Sequence, residues 1–322
     1  MNLSKITTPV KNELSEFQKI FSGTLKSNVA LVDLITKYVL KQKGKKIRPI
    51  LVLLSAKLCG KISNRTYTAA TLVELLHTAT LIHDDVVDEA KARRGLPSIN
   101  AVWKNKAAVL FGDFLLSKGL LVSLDNDEFS FLKVTSEAVR RMSEGELLQI
   151  QKARNFDGTE ETYFKVISDK TSSLIKTCCK LGALSATQDA AKIENMAVYG
   201  ENLGIAFQLR DDLLDYTGRK KLLGKATGND LKEKKFTLPL LVALRNAPRK
   251  KSAEIMKLIK SESNKKFDTV YYFVEEFGGI TYTQDKIQHY ANLAKEALTI
   301  FNDGETKESL MELISFVSNR EY

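Results

Sequence analysis

The stretch that decides the fold runs from Arg65 to Gly95 and reads RTYTAATLVELLHTATLIHDDVVDEAKARRG. Its apolar residues recur at three- and four-residue spacing, a period typical of an α-helix with one face in a protein interior. The residues on this stripe are Leu72, Leu75, Leu76, Ala79 and Ile82. We therefore predict a long helix over 65–89 that is buried along most of its length and ends in carboxylates.

The same helical spacing continues on both sides of this stretch. No proline occurs between Pro97 and Pro239, and strict alternation of apolar and polar residues is absent there. Helices are predicted over 25–41, 49–58, 65–89, 107–124, 129–154, 159–187, 190–216 and 238–245. Because no Gly/Ser/Pro-rich linker divides the 322 residues, we predict an all-α fold with a single domain over residues 1–322.

Composition bounds the class of protein. The chain has 43% hydrophobic and 27% charged residues, which is typical of a soluble globular protein. Uninterrupted apolar runs such as Ile50–Leu54 fall far short of the ~20 residues of a membrane-spanning helix, so no integral membrane segment is predicted. The first residues include Glu13 and Glu16 and no apolar signal core, so we expect a cytoplasmic location. The three cysteines, Cys59, Cys178 and Cys179, have no metal-site spacing and are expected to be buried thiols.

The chain carries a net charge of +10, which favours anionic partners. It has no Cys/His finger, no aromatic RNA-binding strand and no block of five or more basic residues, so we expect no nucleic-acid partner. Phosphorylated substrates and membrane surfaces are the remaining classes of partner.

Two aspartate clusters carry the chemical signal. The first acidic cluster is Asp84, Asp85 and Asp88, and the second is Asp211, Asp212 and Asp215; both read DDxxD. In a helix the first and last Asp of each cluster project from one face, one turn apart. Such like charges repel each other, and a bound divalent cation would relieve that repulsion. Mg²⁺ is typically held by one or two carboxylates together with phosphate oxygens. The alternative, a solvated helix face, explains one cluster better than two.

Basic residues stand near both clusters in the sequence. Arg93 and Arg94 follow the first cluster, Lys225 and Lys235 follow the second, and GKKIRP at 44–49 precedes a predicted helix. Each pair taken alone is compatible with ordinary surface. Together with two acidic clusters they predict two anionic groups in one site, because Arg and Lys bind phosphate oxygens.

These blocks resemble those of a known family. GKKIRP, HDDVVD with ARRG, DKTS at 169–172, FQLRDDLLD and GKATGNDLKEKKFTLP are similar, in order and spacing, to the signature blocks of trans-type polyprenyl diphosphate synthases. The similarity spans roughly residues 40–245. It implies the isoprenoid synthase fold, in which antiparallel helices surround a central cavity, and a homodimer that joins isopentenyl diphosphate to an allylic diphosphate.

The resemblance also implies roles for individual residues. It implies about three Mg²⁺ per active site, with Asp84, Asp88 and Asp211 as ligands. By resemblance, the two clusters are completed by Asp85, Asp212 and Asp215. The allylic diphosphate is neutralised by Arg93, Lys170, Lys225 and Lys235, and isopentenyl diphosphate is bound by Lys45, Arg48, His77 and Arg94. The reacting carbons are lined by Thr171 and Gln208. A buried histidine of the core remains the alternative for His77. The basic segment 217–237 is predicted to be a mobile lid over the phosphates.

Product length is predicted from the helix below the first cluster. Short-chain relatives tend to have bulky aromatic residues four or five positions before the first Asp, whereas here those positions are the small residues Thr80 and Ala79. A growing chain could pass them, so we predict a medium- or long-chain all-trans product.

Three alternatives stay open at this point: a short-chain farnesyl or geranylgeranyl diphosphate synthase, a terpene cyclase, and a non-catalytic subunit of a heteromeric synthase. A cyclase has no need for the GKKIRP and ARRG residues, and a non-catalytic subunit typically lacks one acidic cluster. Whether the dimer contacts membranes to release an oily product is not decided by the sequence.

Overall fold

A computed structural model describes residues 3–42, 44, 46–93, 95–155, 158–217, 235–260 and 266–320. The first helices are α1 Leu3–Thr7, α2 Lys11–Thr24, α3 Ala30–Lys41, α4 Ile47–Cys59, α5 Asn64–Val87, α6 Ile99–Leu124 and α7 Phe129–Asn155. They are followed by α8 Glu160–Ile167, α9 Ser173–Ala186, α10 Ala190–Thr217, α11 Leu238–Asn246, α12 Arg249–Lys260, α13 Lys266–Glu276, α14 Gly279–Ala297 and α15 Glu305–Asn319. Among the described residues the strands are the two-residue β1 Ala92–Arg93 and β2 Leu96–Pro97. The predicted all-α class is confirmed.

Helix α5 lies at the centre of the molecule. It begins after Ser63, whose side chain and that of Thr66 form a capping box with the first turn,. It packs along α6, α4 and α9, while α10 packs against α9 and α14. The stripe predicted from the sequence is buried on α5, from Leu72 to Ile82. The hydrophobic core of these helices therefore fixes where the ends of α5 and α10, and the acidic clusters on them, are placed.

Two predicted helices differ from the structure at points that matter for the site. The helix predicted over 159–187 is interrupted by a π-helical turn, Ser168–Ser172, which lies between α8 and α9. The helix predicted over 107–124 begins earlier, at Ile99, but its backbone leaves helical geometry at Lys104, where φ is 70°. A π-turn adds one residue to the helical repeat, so the residues within it face a direction that a regular 3.6-residue period does not predict.

Helix α6 bears on the prediction that the chain has no membrane-spanning segment. By length and composition Ile99–Leu124 could cross a membrane, with a mean hydropathy of 1.7 over its most apolar 18 residues, of which 33% are buried. Counting uninterrupted apolar runs overlooked it because Asp113 and Lys118 interrupt the sequence. It is the one such helix in the part of the chain described here.

Candidate active site

The first acidic cluster lies at the carboxyl end of α5, and its three carboxylates differ in environment. Asp84 and Asp88 are exposed, whereas Asp85 is only 3% exposed. Both oxygens of Asp85 accept hydrogen bonds of 2.8 Å from Nε of Arg93, and Nη2 of Arg93 is 2.6 Å from Oδ1. Asp84 and Asp88 are thus available to bind a metal, while Asp85 holds Arg93.

A tight hairpin brings Arg93 back to α5. Strand β1 pairs antiparallel with β2, with Arg93 opposite Leu96. Gly95 lies in the turn with φ of 78°, a conformation that costs glycine little because it has no Cβ. The hydroxyl of Ser98 donates to the carbonyl of Ala90 and closes the loop. The ARRGLP block therefore acts structurally, because its turn sets the guanidinium of Arg93 beside the first acidic cluster.

A first cavity, of about 160 Å³, is lined by two of the residues predicted to bind isopentenyl diphosphate and by Arg93, which was predicted to bind the allylic diphosphate. Arg48, His77 and Arg93 all line it. Arg48 is in the first turn of α4 and His77 is on α5, two turns before Asp84. Glu74 and Gln18 line the same cavity. The structure brings together predicted residues from three separate sequence blocks, and His77 is buried at the wall of a cavity.

The π-turn positions Lys170 and Thr171. Asp169 in the turn accepts a hydrogen bond of 2.8 Å from Nε of Arg141 on α7 and one of 2.9 Å from Nζ of Lys165 on α8. Burial alone would raise the pKa of Asp169, but the hydrogen bonds from Lys165 and Arg141 outweigh it, so its pKa lies below the ordinary value,. These ion pairs tie the turn to both neighbouring helices.

The second acidic cluster, at the carboxyl end of α10, repeats the pattern of the first. Its middle residue, Asp212, is 5% exposed and accepts hydrogen bonds from the Tyr163 hydroxyl at 2.6 Å and from Nε2 of Gln208 at 2.7 Å. Asp211 and Asp215 are half-buried. In each cluster, then, the middle aspartate is the most buried of the three and accepts hydrogen bonds from protein donors.

A second cavity, of about 230 Å³, is lined by five predicted site residues: Lys170, Thr171, Gln208, Asp212 and Lys235. The hydroxyl of Thr171 donates to Oε1 of Gln208 at 2.8 Å. Apolar side chains of Val166, Ile167 and Leu241 form other parts of its wall. The cavity thus combines cations and dipoles with a surface that excludes water.

The charged residues around Asp84 shift its pKa. The pKa of Asp84 lies above its ordinary value, chiefly because the surrounding protein partly removes water from the carboxylate,. The positive charges of Lys170 and Arg93 lower the pKa, whereas the negative charges of Glu146 and Asp88 raise it. Lys170 lines the second cavity and Arg93 lines the first. The basic residues that lower the pKa of Asp84 therefore come from the walls of both cavities.

Asp211 is paired with a residue that the sequence analysis missed. The guanidinium of Arg320, just beyond α15, forms an ion pair with Asp211 and stacks on the ring of Phe207 at 4.3 Å. The Arg320 carbonyl accepts hydrogen bonds from the Arg210 guanidinium. The end of the described chain is thereby fastened to the second acidic cluster.

The donor set fits a divalent metal that is completed by substrate. Within the described ranges no three Asp, Glu, His or Cys side chains converge closely enough to hold an ion by themselves. Asp84 and Asp88 nonetheless repel each other enough to contribute to the raised pKa of Asp84. Mg²⁺ favours an arrangement in which one or two carboxylates bind it and phosphate oxygens of the substrate supply further ligands.

Several predicted residues lie outside the described residues: Lys45, Arg94 and Lys225, together with 218–234 of the predicted lid. The product-length residues are described. Ala79 is fully buried, and Thr80 is half-buried with its hydroxyl donating to the His77 carbonyl at 2.9 Å.

Other site residues were not found from the sequence. Tyr163, Glu146, Gln149, Glu74 and Arg320 contact or line the site. Tyr163 precedes Lys170 by seven residues, a spacing that would have put both on one helix face. The other four residues have no signal in the sequence, because tertiary packing brings them to the site.

The three cysteines are buried as predicted. Burial raises the pKa of Cys59 and Cys178 to about 12, which makes these thiols poor nucleophiles.

Comparison with known proteins agrees with this geometry. Residues 29–276 match the polyprenyl synthetase family. The all-trans-nonaprenyl-diphosphate synthase (geranyl-diphosphate specific) of Rhodobacter capsulatus is 35% identical over 316 residues, 98% of this chain and 97% of that protein. The octaprenyl diphosphate synthase of Escherichia coli K12 is 34% identical over all of both chains.

Solved structures give the same result. A decaprenyl diphosphate synthase from Rhodobacter capsulatus superposes with a TM-score of 0.93 at 29% identity, covering 100% of each chain. A polyprenyl synthase from Caulobacter crescentus, crystallised with calcium and isoprenyl diphosphate, superposes at 0.91 with 32% identity, covering 100% of this chain and 98% of that one. The fold and site thus define a prenyl-transferring enzyme of the isoprenoid synthase class. The chain belongs to the polyprenyl synthetase family and resembles its medium- and long-chain members.

Proposed function

We propose that this chain elongates an allylic diphosphate by successive head-to-tail condensation with isopentenyl diphosphate, giving a medium- or long-chain all-trans polyprenyl diphosphate and releasing diphosphate. The observation that carries the proposal is that each acidic cluster places its middle aspartate in the wall of a cavity that also has basic residues. Asp85 lines the first cavity with Arg48 and Arg93, and Asp212 lines the second with Lys170 and Lys235. The relatives named above support the reaction and the chain-length class.

The residues divide between the two substrates. Arg48 and His77 in the first cavity bind the diphosphate of isopentenyl diphosphate, with Lys45 and Arg94 in the same role by resemblance. Asp84, Asp88 and Asp211 hold the metal. Lys170 and Lys235, which line the second cavity, stabilise the allylic diphosphate. Lys225 and Arg93 are assigned to the same group by resemblance, although Arg93 lines the first cavity. Arg suits bidentate phosphate contacts and Lys acts as a point charge.

We propose Mg²⁺ as the physiological metal, supported by the hard oxygen donors of both clusters and by the calcium in one solved relative. When bound, it would supply positive charge against the leaving diphosphate. Arg93 and Lys170 stabilise the same charge from the protein side, in a site whose apolar walls strengthen electrostatic interactions.

The reaction balances without a protein nucleophile. The allylic C–O bond breaks and its electron pair leaves with diphosphate, so the carbon fragment becomes an allylic cation. The double bond of isopentenyl diphosphate attacks this cation and forms the new C–C bond, after which the departed diphosphate accepts the proton that is lost. Val166, Ile167 and Leu241 keep water from the cation,.

We propose a homodimer whose interface includes α6. Large apolar residues of this helix are exposed in one copy: Val102, Val109, Leu110, Leu120, Leu121 and Leu124. Because Asp113 and Lys118 lie on the same helix, a second copy of α6 covers this surface better than a lipid bilayer does. A Leu110→Lys/Leu121→Lys variant should sediment as a monomer, whereas Val198→Lys, on the exposed side of α10, should keep the size of the wild type. A cytoplasmic location and peripheral membrane contact stay predictions.

The test is incorporation of radiolabelled isopentenyl diphosphate with a farnesyl or geranylgeranyl starter, with and without Mg²⁺, followed by sizing of the extracted lipid. Asp84→Ala and Asp211→Ala should each reduce incorporation at least about 100-fold and leave the circular dichroism spectrum unchanged. Asp125→Ala, at the exposed end of α6, is the matched control. No incorporation by the wild type, or wild-type rates in both aspartate variants, would refute the proposal.

A further inference from the structure

A chain of hydrogen bonds leads from Tyr163 to the predicted reacting carbons. The Tyr163 hydroxyl donates to Oδ2 of Asp212 at 2.6 Å, and Nε2 of Gln208 donates to Oδ1 of the same carboxylate at 2.7 Å. Oε1 of Gln208 in turn accepts a hydrogen bond of 2.8 Å from the Thr171 hydroxyl. All four residues line the second cavity, and they come from α8, α10 and the π-turn.

This chain fixes which way each group points. A carboxylate only accepts hydrogen bonds, so Asp212 requires the NH₂ end of the Gln208 amide, and the amide oxygen must then face Thr171. The hydroxyl proton of Thr171 is thereby directed to Gln208. The oxygen of Thr171 is left to present its lone pairs, which is the polarity that stabilises a positive charge.

The surroundings of Tyr163 increase the effect. Tyr163 belongs to an apolar cluster with Ile167, Leu209, Leu213 and Leu238, and Asp212 is buried beside it. Hydrogen bonds are electrostatically stronger in such a low-dielectric setting, and neighbouring bonds in a chain polarise one another. Loss of the Tyr163 hydroxyl would remove one hydrogen-bond donor from the buried carboxylate of Asp212 and loosen the orientation of that carboxylate.

We propose that Tyr163 is a positioning residue for cation stabilisation: through Asp212 and Gln208 it orients the oxygen of Thr171 toward the allylic cation. Asp212 accordingly acts as the anchor of this chain and not as a primary metal ligand. The inference rests on the proposed function, since it requires that an allylic cation forms in the second cavity.

The chain offers a matched control. Tyr199 on α10 is also fully buried, and its hydroxyl donates to the Leu310 carbonyl at 3.0 Å, in the core and away from both cavities. Tyr163→Phe and Tyr199→Phe each remove one buried hydroxyl with one principal acceptor. Tyr199→Phe thus controls for the loss of a buried hydroxyl, and a change in analogue binding or turnover found only in Tyr163→Phe reports the position of that hydroxyl.

Binding of two allylic diphosphate analogues separates positioning from general damage. Both analogues keep the anionic diphosphate group. One carries an ammonium nitrogen at the reacting centre and mimics the cation, while the other, called the neutral analogue, is the thiolodiphosphate of the same chain and has no charge at that centre. In Tyr163→Phe we expect affinity for the ammonium analogue to fall about tenfold and for the neutral analogue to change less than about twofold. The incorporation assay should show kcat lowered by about the same tenfold, with KM for isopentenyl diphosphate unchanged. Tyr199→Phe should leave all three quantities at wild-type values.

The inference would be overturned if Tyr163→Phe lost affinity equally for both analogues. It would also be overturned if Tyr163→Phe had the same affinities and kcat as Tyr199→Phe. Asp212→Asn provides a second variant if Tyr163→Phe does not fold: its amide turns an acceptor into a donor, so it should show the same selective loss. A wild-type protein that incorporates no isopentenyl diphosphate would instead refute the proposed function, so the two failures are distinguishable.

Discussion

The guanidinium of Arg320 is paired with the carboxylate of Asp211, although 109 positions separate the two residues in the chain. Asp211 is the first residue of the second acidic cluster and the proposed ligand of a metal. A protein cation is therefore paired with one oxygen of this carboxylate, and we expect it to compete with a metal for Asp211.

Removal of this cation should favour metal binding. Arg320→Ala deletes the guanidinium but keeps the backbone carbonyl that accepts hydrogen bonds from the Arg210 guanidinium. Since charge-assisted hydrogen bonds are among the strong ones, we expect the substrate-free variant to bind Mn²⁺ about fivefold more tightly than the wild type. Titration followed by electron paramagnetic resonance measures this. Arg249→Ala, an exposed change of the same charge on α12, controls for net charge, and an unaltered affinity in Arg320→Ala would contradict the expectation.

The pair of Asp85 and Arg93 should separate stability from activity. Arg93→Ala leaves the buried carboxylate of Asp85 without its guanidinium, which we expect to lower the free energy of unfolding by about 3 kcal/mol. The double variant Asp85→Ala/Arg93→Ala removes the orphaned charge and should regain most of that loss in urea denaturation. Both variants should remain inactive because the allylic diphosphate loses Arg93. Recovery of activity in the double variant would show that Arg93 only compensates Asp85.

Thr80 is the better of the two product-length positions for substitution. It lies one turn before Asp84 on the same face of α5 and is half-buried, whereas Ala79 is fully buried. Thr80→Phe should shorten the product by obstructing the path of the growing chain, as measured by chromatography of the dephosphorylated lipid. Ala79→Tyr should in addition lower the free energy of unfolding by about 2 kcal/mol, because its site has no spare volume. The product of Val198→Phe should keep the wild-type length, and an unchanged length in Thr80→Phe would exclude this wall of the tunnel.

Asp169 should make stability depend on pH in acid. Its pKa in the folded protein lies below the ordinary value of 3.8, so the ionised form stabilises the fold. This contribution is fully present above the pKa of the unfolded chain and is lost as the pH falls through the lower pKa of the folded state. Asp169→Asn should therefore be about 2 kcal/mol less stable than the wild type at neutral pH, and the difference should shrink near pH 3 and below. A difference that stays constant with pH would mean that Asp169 acts through shape and not through charge.

Much of the fold followed from local pattern. The spacing of Leu72, Leu76 and Ala79 predicted the buried face of α5, and the two DDxxD motifs predicted which helix ends carry the site. Such features depend on the period of the helix, which residues three and four apart reveal without knowledge of the rest of the chain. The π-turn at Ser168–Ser172 escaped prediction because the same residues are compatible with a continuous helix, and packing against α7 and α10 decides between the two.

The sequence by itself determined the helical class, the two acidic clusters and the residues that could bind diphosphate, because each of these is written in neighbouring residues. Only the tertiary structure decided that the middle aspartate of each cluster serves the protein, Asp85 by holding Arg93 and Asp212 by holding Tyr163 and Gln208. It likewise brought Arg320 to Asp211. The physical reason is that hydrogen bonds and ion pairs between distant residues depend on how whole helices pack, and that packing is set by the complete core and not by any one motif.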